Sequence, residues 1–350
     1  MPQRQTLAES TAQVLLAQLD SGRWTEFLPG ERDLCEEFQI SRPTLRQALE
    51  VLQRAGRVKV AQGRRRRVIA RRGIGMPVRR RNVIGLLSPS ALKGLPPFVL
   101  FWIDVVRSDL AQVGYRLEFH ARRACGGGAP GQTLERLVHG APASLWILLL
   151  ATPPVQQWFL KRKLPCVVAG SCALDISLPS VDIDYRAACR HAVGVFRRRG
   201  HAPLALIIPA GGLVGDAESE AGFVAATANG PHPLILRHDG TPEDIVRHLE
   251  SSLLASAPPT GFLVARSAHV LTVLTWLLRR GCRLPFKAAL ISRDDDAFLD
   301  FVTPRVARYT SNPAVFARRV SRAVLQMARS GPGPARPIRL MPRFLPGETV

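Results

Sequence analysis

With 350 residues, 46% of them hydrophobic and 21% charged, the chain is long enough for two or three globular domains. The net charge of +21 favours a polyanionic partner, either nucleic acid or an acidic membrane surface, although codon bias also produces such an excess of Arg (43 of the 48 basic residues). The six cysteines are scattered without the spacing of a zinc site, which predicts reduced thiols in a cytoplasmic protein. The sequence shows no signal peptide, and its most apolar stretch, Leu145–Ala151, is too short to span a bilayer. Both observations argue against secreted and integral membrane proteins.

The first 81 residues carry a net charge of +9 and predict three helices followed by a hairpin. The apolar spacing indicates helices over 7–19, 31–38 and 42–55 and short strands over 58–60 and 67–69. Ser41 is an N-cap for the third helix. The predicted buried face of the first helix is Leu7, Val14, Leu15 and Leu19, and that of the third is Leu45, Ala48, Leu49 and Leu52.

This order of elements is typical of a winged helix-turn-helix, in which the third helix enters the major groove of DNA and the hairpin forms the wing. Arg42, Thr44 and Arg46 face outward at the start of that helix, where Arg binds guanine or phosphate. The arginines 64–67 suit a phosphate or minor-groove contact. The alternative interpretation is a solvated helix pair with a basic tail.

Residues 28–68 resemble the GntR-type winged helix, and the expected domain over 1–72 that contains them covers about a fifth of the chain. The residues in register are Pro29, Glu31, Arg32, Leu34, Ser41, Arg42, Leu45, Arg46, Ala48, Leu49, Leu52, Gly56, Gly63 and Val68. Pro43 and the arginines 64–66 depart from the pattern. The resemblance implies phosphate binding by Arg32, major-groove contacts by the third helix and a minor-groove contact at the wing tip. The predicted DNA-binding residues are Arg32, Ser41, Arg42, Thr44, Arg46, Gln62, Gly63, Arg64 and Arg65.

The chain is expected to divide into a DNA-binding domain over 1–72, a linker over 73–81 that contains two glycines and a proline, and a larger domain over 82–350. The larger domain alternates strands and helices in two consecutive series. That alternation predicts an α/β fold with two doubly wound parallel-sheet subdomains and a cleft between them, where ligands bind at the carboxyl ends of strands. Crossovers between the subdomains are expected near 181–185, 292–296 and 308–312.

The larger domain resembles the LacI/GalR-type periplasmic-binding-protein-like domain, most specifically over Leu178–Ile207. A LacI-type helix-turn-helix is absent because the GntR-type unit takes its place. Sugar-responsive regulators have this combination. The resemblance implies an effector site at Phe98, Asp184, Ser219, Arg266 and Asp294. Ser219 and Arg266 stand where the family has Arg and Asn, whereas both aspartates are retained.

Three interpretations of the cleft therefore stay open: a sugar, an altered ligand that is anionic if Arg266 points into the cleft, or no ligand. For Asp294–Asp296, a solvated turn is an equal alternative.

No hydrolase, kinase or nucleotide-binding motif occurs in the sequence, and the eight histidines do not cluster with carboxylates. His201 follows a helix end, where a structural role is favoured over catalysis. We therefore expect no enzyme activity, cofactor or metal. The prediction is a repressor-type transcriptional regulator that binds operator DNA as a homodimer and responds to a small molecule. The alternatives are a constitutive DNA binder with an empty sensor, a solute-binding module and a general nucleoid-associated binder.

Overall fold

The structure is a computed structural model, and it describes residues 7–20, 24, 27–59, 66–68, 82–122, 131–228, 230–331 and 336–350. The expected linker at 73–81 and the wing residues Gln62, Gly63, Arg64 and Arg65 lie outside these described residues. The chain divides into two compact units, Met1–Arg79 and Arg80–Val350. Each unit is described by itself below.

The first unit contains three helices and a short antiparallel hairpin around one apolar core. Its elements are α1 (Leu7–Asp20), α2 (Glu31–Phe38), α3 (Arg42–Arg54), β1 (Val58–Lys59) and β2 (Arg67–Val68). The predicted stripe on α3 is confirmed, since all four of its residues are at most 2% exposed. The backbone N–H of Leu28, ahead of α2, donates to the carbonyl of Arg66 at 3.0 Å and ties the hairpin to the helices.

The predicted apolar face of α1 is wrong at one position. Val14 is 46% exposed, whereas Leu15 and Leu19 are buried together with Ala8 and Ala12. These four residues recur at helical spacing, and Val14 lies about 100° away from Leu15 around the helix. Small alanines complete the buried face because α1 packs against α3.

The second unit has two six-stranded sheets, each with helices packed against it. Its strands are β3 (Val83–Ser88), β4 (Arg116–Ala121), β5 (Leu145–Leu149), β6 (Cys166–Ala169), β7 (Ser180–Ile183), β8 (Leu204–Pro209), β9 (Leu234–His238), β10 (Gly261–Val264), β11 (Ala289–Ser292), β12 (Ala307–Thr310), β13 (Pro337–Leu340) and β14 (Arg343–Leu345). Its helices are α4 (Pro97–Gln112), α5 (Gly131–Gly140), α6 (Pro153–Lys161), α7 (Tyr185–Arg198), α8 (Val214–Thr227), α9 (Pro242–Ser252), α10 (Ser267–Arg279) and α11 (Pro313–Ser330).

The first sheet is parallel throughout, in the order β13-β7-β6-β5-β3-β4, and the second has the order β14-β12-β11-β10-β8-β9 with only β14 antiparallel. The strand interiors are apolar because both sheet faces are covered. One face of the first sheet packs on α4 and α11, and the other on α5 and α6. The predicted α/β fold with two parallel-sheet subdomains is confirmed.

The chain passes between the two sheets after β7, after β12 and between β13 and β14. The crossover expected at 292–296 is wrong: β11 leads to β12 in the same sheet, where Ile291 pairs with Ala307. The third crossover lies instead at 341–342. The acidic stretch after β11 turns back because Asp295 and Asp300 both form ion pairs with Arg308 on β12.

Candidate DNA-binding surface and sensor cleft

The start of α3 is a capped helix end with its polar groups already satisfied. The Ser41 hydroxyl accepts from the backbone N–H of Thr44 at 3.3 Å and also bonds the Thr44 hydroxyl at 2.7 Å. This is the N-cap that the sequence predicts, and it accepts a hydrogen bond from one of the first-turn N–H groups that have no partner within the helix. Thr44 is half-buried. Both hydroxyls therefore hold the helix end in shape.

Two arginines project from this helix end, one unpaired and one held. Arg42 is exposed, and it makes no ion pair with any residue that the structure describes. The Arg46 side chain is 64% exposed and its Nε lies 3.1 Å from an oxygen of Glu31 on α2. The polar end of α3 thus presents two guanidinium groups to solvent, as the winged-helix interpretation requires.

Glu31 joins the recognition helix to the hairpin, a role that the sequence analysis missed. Its second oxygen lies 2.7 Å from Nη1 of Arg66 beside β2. The hydrogen bond from Arg66, followed by that from Arg46, lowers the pKa of Glu31 and outweighs its partial burial. Arg66 is therefore turned toward α2 and not toward a phosphate.

Arg32 stands on the exposed side of α2. Its side chain is 81% exposed and pairs with Glu36 one turn later at 3.1 Å. Such solvated i,i+4 pairs are weak, so the guanidinium is free to exchange its partner for a phosphate.

A closed network of charges occupies the carboxyl end of the second sheet, and its centre is Arg293, directly after β11. The guanidinium is 2% exposed and donates to Asp216 at 3.1 Å, to the Ser219 hydroxyl at 2.7 Å and to both oxygens of Asp294. Its carbon lies 4.1 Å from the centre of the Tyr185 ring. Burial opposes the charge, but Asp294 and Asp216 raise the pKa of Arg293 above its usual value.

Three of the predicted effector residues belong to this network. Ser219 is fully buried and also donates to the Gly215 carbonyl. Arg266 donates to Asp216 at 2.7 Å, and its Nη1 lies 3.9 Å from Asp294. The structure therefore brings Ser219, Arg266 and Asp294 together, with their polar groups committed to protein partners. The solvated turn considered for Asp294–Asp296 is wrong for Asp294 and Asp295, which are both bound by arginines.

Arg293 and Asp216 are the members of this network that the sequence analysis missed. In the resembled family, an Arg occupies the position on α8 at which this chain has Ser219. Here Arg293, directly after β11, places its guanidinium beside Ser219 instead. The Ile291-Ser292-Arg293 triplet at the end of an apolar strand was the signal available. A charged residue in that place, directly before a carboxylate pair, indicates a buried ion pair.

The other two predicted residues, Asp184 and Phe98, lie outside this network. Asp184 caps α7, where its carboxylate accepts from the N–H of Ala187 at 2.9 Å. Phe98, in the first turn of α4, packs edge-on against Phe316 with ring centres 5.6 Å apart. Phe98 is thus partly built into the core of the first subdomain, whereas Asp184 faces a cavity.

This cavity has a volume of about 180 Å³ and lies where the chain crosses between the sheets. Residues of the first subdomain (Ser171, Asp182, Arg339) and of the second (Arg186, Glu218) line it. Arg186 donates to both Glu218 oxygens, at 2.9 and 3.1 Å. Arg339 on β13 lies 3.4 Å from the same carboxylate, so one ion pair links the subdomains across the cavity.

In the cavity wall, the carboxylate of Asp182 has a pKa that is shifted from its ordinary value. Burial raises its pKa to about 6, although hydrogen bonds from Ser171 and from the Ile183 N–H favour the charged form. Gly222 brings α8 close to α7 beside the cavity, because a Cβ there would lie 2.4 Å from the Arg186 carbonyl oxygen. The geometry of the wall therefore depends on that glycine.

Two family models match separate parts of this chain. Residues 7–68 match "Bacterial regulatory proteins, gntR family", and residues 193–350 match "Periplasmic binding protein-like domain". The probable repressor ExuR of Bacillus subtilis is 20% identical over 171 residues, which are 46% of this chain and 51% of that protein. The chain thus spans about half the length of this curated relative.

Solved structures of LacI-family and related regulators share the fold. A LacI-family regulatory protein from Chloroflexus aggregans superimposes with a TM-score of 0.67 at 19% identity, over 77% of this chain and 98% of that one. The regulator CelR in complex with cellobiose gives 0.66 at 18%, over 99% and 100%. A LacI-family regulator from Enterococcus faecium with bound ribose gives 0.62 at 15%, over 76% and 98%.

The described helices include none with the length and apolar character needed to cross a membrane.

Proposed function

We propose that this chain, which joins a helix-turn-helix domain of the gntR family to a periplasmic binding protein-like domain, is a cytoplasmic transcriptional repressor whose operator affinity changes when a small molecule occupies the sensor cleft. One observation carries the proposal: Arg42 and Arg46 stand exposed at the capped start of α3, while the opposite face of that helix is buried. A helix that enters the major groove needs this division.

Operator recognition then follows from the chemistry of these side chains. Arg42 and Arg46 contact bases or phosphates, Arg32 contacts phosphate, and Gln62, Gly63, Arg64 and Arg65 form the wing contact. One such helix reads few base pairs. We therefore propose a homodimer on a two-fold symmetric operator with half-sites spaced by whole helical turns.

For the effector, the charges around the cavity favour a neutral polyhydroxy compound over an anion. Arg266 and Arg293 are neutralised by carboxylates, so neither offers a free positive charge. The cavity is lined by both hydrogen-bond acceptors and donors, which suits hydroxyl groups. The acceptors are the carboxylates of Asp182, Asp184 and Glu218, and the donors are the guanidinium groups of Arg186 and Arg339. Two structural neighbours are complexes with cellobiose and with ribose, which supports a carbohydrate.

The response mechanism rests on the position of the cavity between the subdomains. A ligand that bonds Glu218 on one side and Arg339 on the other competes with their direct ion pair and changes the angle between the two sheets. A differential affinity for two such angles is sufficient to shift the population between a DNA-binding and a released form.

The DNA part of the proposal is tested by titrating the full chain against operator fragments recovered by genome-wide footprinting. Arg42→Ala should weaken specific binding by about 1–3 kcal/mol while random duplex changes little. The matched control is Arg54→Ala, an exposed arginine in the last turn of the same helix. Equal affinity of the wild type for operator and random DNA would contradict a specific repressor and favour a nucleoid-associated binder.

The effector part is tested with ribose and cellobiose as probes and DNA release as the readout. Asp184→Asn keeps the N-cap acceptor of α7 but removes the charge, so release should be lost while operator affinity stays. Asp175→Asn, an exposed carboxylate on the loop after β6, is the control. If neither probe alters binding of the wild type, the carbohydrate assignment fails and a sensor without sugar binding is favoured.

A further inference from the structure

A basic groove of about 520 Å³ runs between α4 and α11 in the first subdomain, away from the sensor cleft. Its wall contains three arginines on α11: Arg318, Arg322 and Arg329. All three are exposed, and no ion pair of theirs occurs within the described ranges of the chain. In the sensor cleft, by contrast, Arg186, Arg266 and Arg293 are neutralised by carboxylates.

The three arginines form a straight row along one face of α11. They are separated by four and seven residues, which places them on one side of the helix with rises of about 6 and 10 Å. The described carboxylate in the groove is that of Asp109 on α4, which accepts from the Ser321 hydroxyl at 2.9 Å. The groove therefore keeps an excess of positive charge about 16 Å long, which suits an extended polyanion better than a single small anion.

One end of this groove lies at the C-terminal ends of α4 and α11, beside the residues with which the chain enters the second unit. α4 ends at Gln112 and α11 at Ser330, and both Gln112 and Arg329 line the groove. Asn82, just ahead of β3, donates to the carbonyl of Gly114 directly after α4 at 3.2 Å.

We propose that the groove between α4 and α11 binds the phosphate backbone of DNA flanking the operator, so that the sensor domain adds contacts independent of sequence. This inference rests on the proposed function, because the first unit must hold an operator for the flank to reach the groove. Duplex DNA carries one negative charge per about 1.7 Å of its axis, and each phosphate neutralised by Arg releases condensed counterions.

The test measures the salt dependence of affinity for the full chain on two fragments, one with long flanks and one trimmed to the operator. Replacing the three α11 arginines by Gln should lower the slope of log affinity against log salt by about 2–3 on the flanked fragment. The trimmed fragment should show no change. The matched control replaces Arg279, Arg283 and Arg305, exposed residues of the second subdomain, by Gln.

Asp109→Asn provides the opposite change, since Asn still accepts from Ser321 while the negative charge is gone. It should steepen the slope on the flanked fragment. The inference is overturned if the α11 variant and the wild type give one slope on flanked DNA, or if both fragments lose affinity equally. The proposed function fails separately, if the wild type shows no preference for operator DNA at all.

Discussion

Arginine has opposite uses at the start of α3 and in the sensor cleft. At the start of α3, Arg42 is unpaired among the described residues and Arg46 keeps 64% of its side chain exposed despite its pair with Glu31. In the sensor cleft, Arg293 is 2% exposed and bound by two carboxylates and a hydroxyl. A guanidinium that keeps its water can exchange it for a phosphate or a base, whereas one that has lost its water can only hold its carboxylates in place.

The same excess of arginine therefore serves two purposes, and sequence position alone does not tell them apart. Arg266 illustrates this, since its place in the resembled pattern is a ligand contact and its actual partner is Asp216 at 2.7 Å. Four changes test this division, from the largest expected effect to the smallest.

Arg293→Met should lower the free energy of unfolding by about 3–5 kcal/mol, because Asp216 and Asp294 lose a buried counter-charge. Chemical denaturation of the full chain measures this value for the second unit. Arg190→Met, an exposed position on α7, is the control and should change stability by less than about 0.5 kcal/mol. A loss no larger than the control's would mean that the network is not a structural centre.

Arg46→Ala should cost about 1–3 kcal/mol of operator binding and leave stability nearly unchanged, since its exposed pair with Glu31 contributes little. Fluorescence anisotropy with labelled operator and thermal unfolding give the two readouts. Unaltered operator affinity would remove Arg46 from the recognition surface and leave Arg42 as its principal residue.

Asp182→Asn should stabilise the protein at neutral pH by about 1–2 kcal/mol. The folded-state pKa of Asp182 is about 6, above its ordinary value of 3.8. The folded protein therefore keeps the proton longer than the unfolded chain, so its stabilising contribution is complete below about pH 4 and disappears as the pH rises through 6.

Denaturation curves between pH 4 and pH 7.5 check this sign. The difference between Asp182→Asn and wild type should grow across that window, whereas Asp175→Asn should run parallel to the wild type. A constant difference across the window would show that the Asp182 carboxyl titrates as an ordinary exposed acid.

Arg32→Ala should have the smallest effect on stability, within about 0.5 kcal/mol, because its pair with Glu36 is solvated. If Arg32 contacts a phosphate, the salt slope of operator binding falls by about 0.9, equally for operator and random duplex. Salt titrations on both DNAs measure this, and an unchanged slope would exclude the contact.

Much of the fold could be predicted locally. The helix Glu31–Phe38 begins and ends where the apolar spacing indicates, and Ser41 caps α3 as its hydroxyl side chain suggests. These features depend on neighbouring residues, which the sequence lists in order. The helix α11 was missed although its signal is local, since Asn312 caps it and its buried residues recur at helical spacing. The crossover at 341–342 was not predicted because it depends on which sheet a distant segment joins.

The candidate sites divide in the same way. The order of residues along the chain was sufficient to indicate the recognition helix, its exposed arginines and the two-subdomain sensor, since helical periodicity and βα alternation are local patterns. Only the tertiary structure decided that Glu31 joins Arg46 to Arg66 and that Arg293 fills the place beside Ser219. It also decided that the α11 arginines form one row with no ion pair to any described residue. The partner of a charge is set by packing between segments far apart in sequence, and burial then determines whether that charge binds a ligand or another part of the protein.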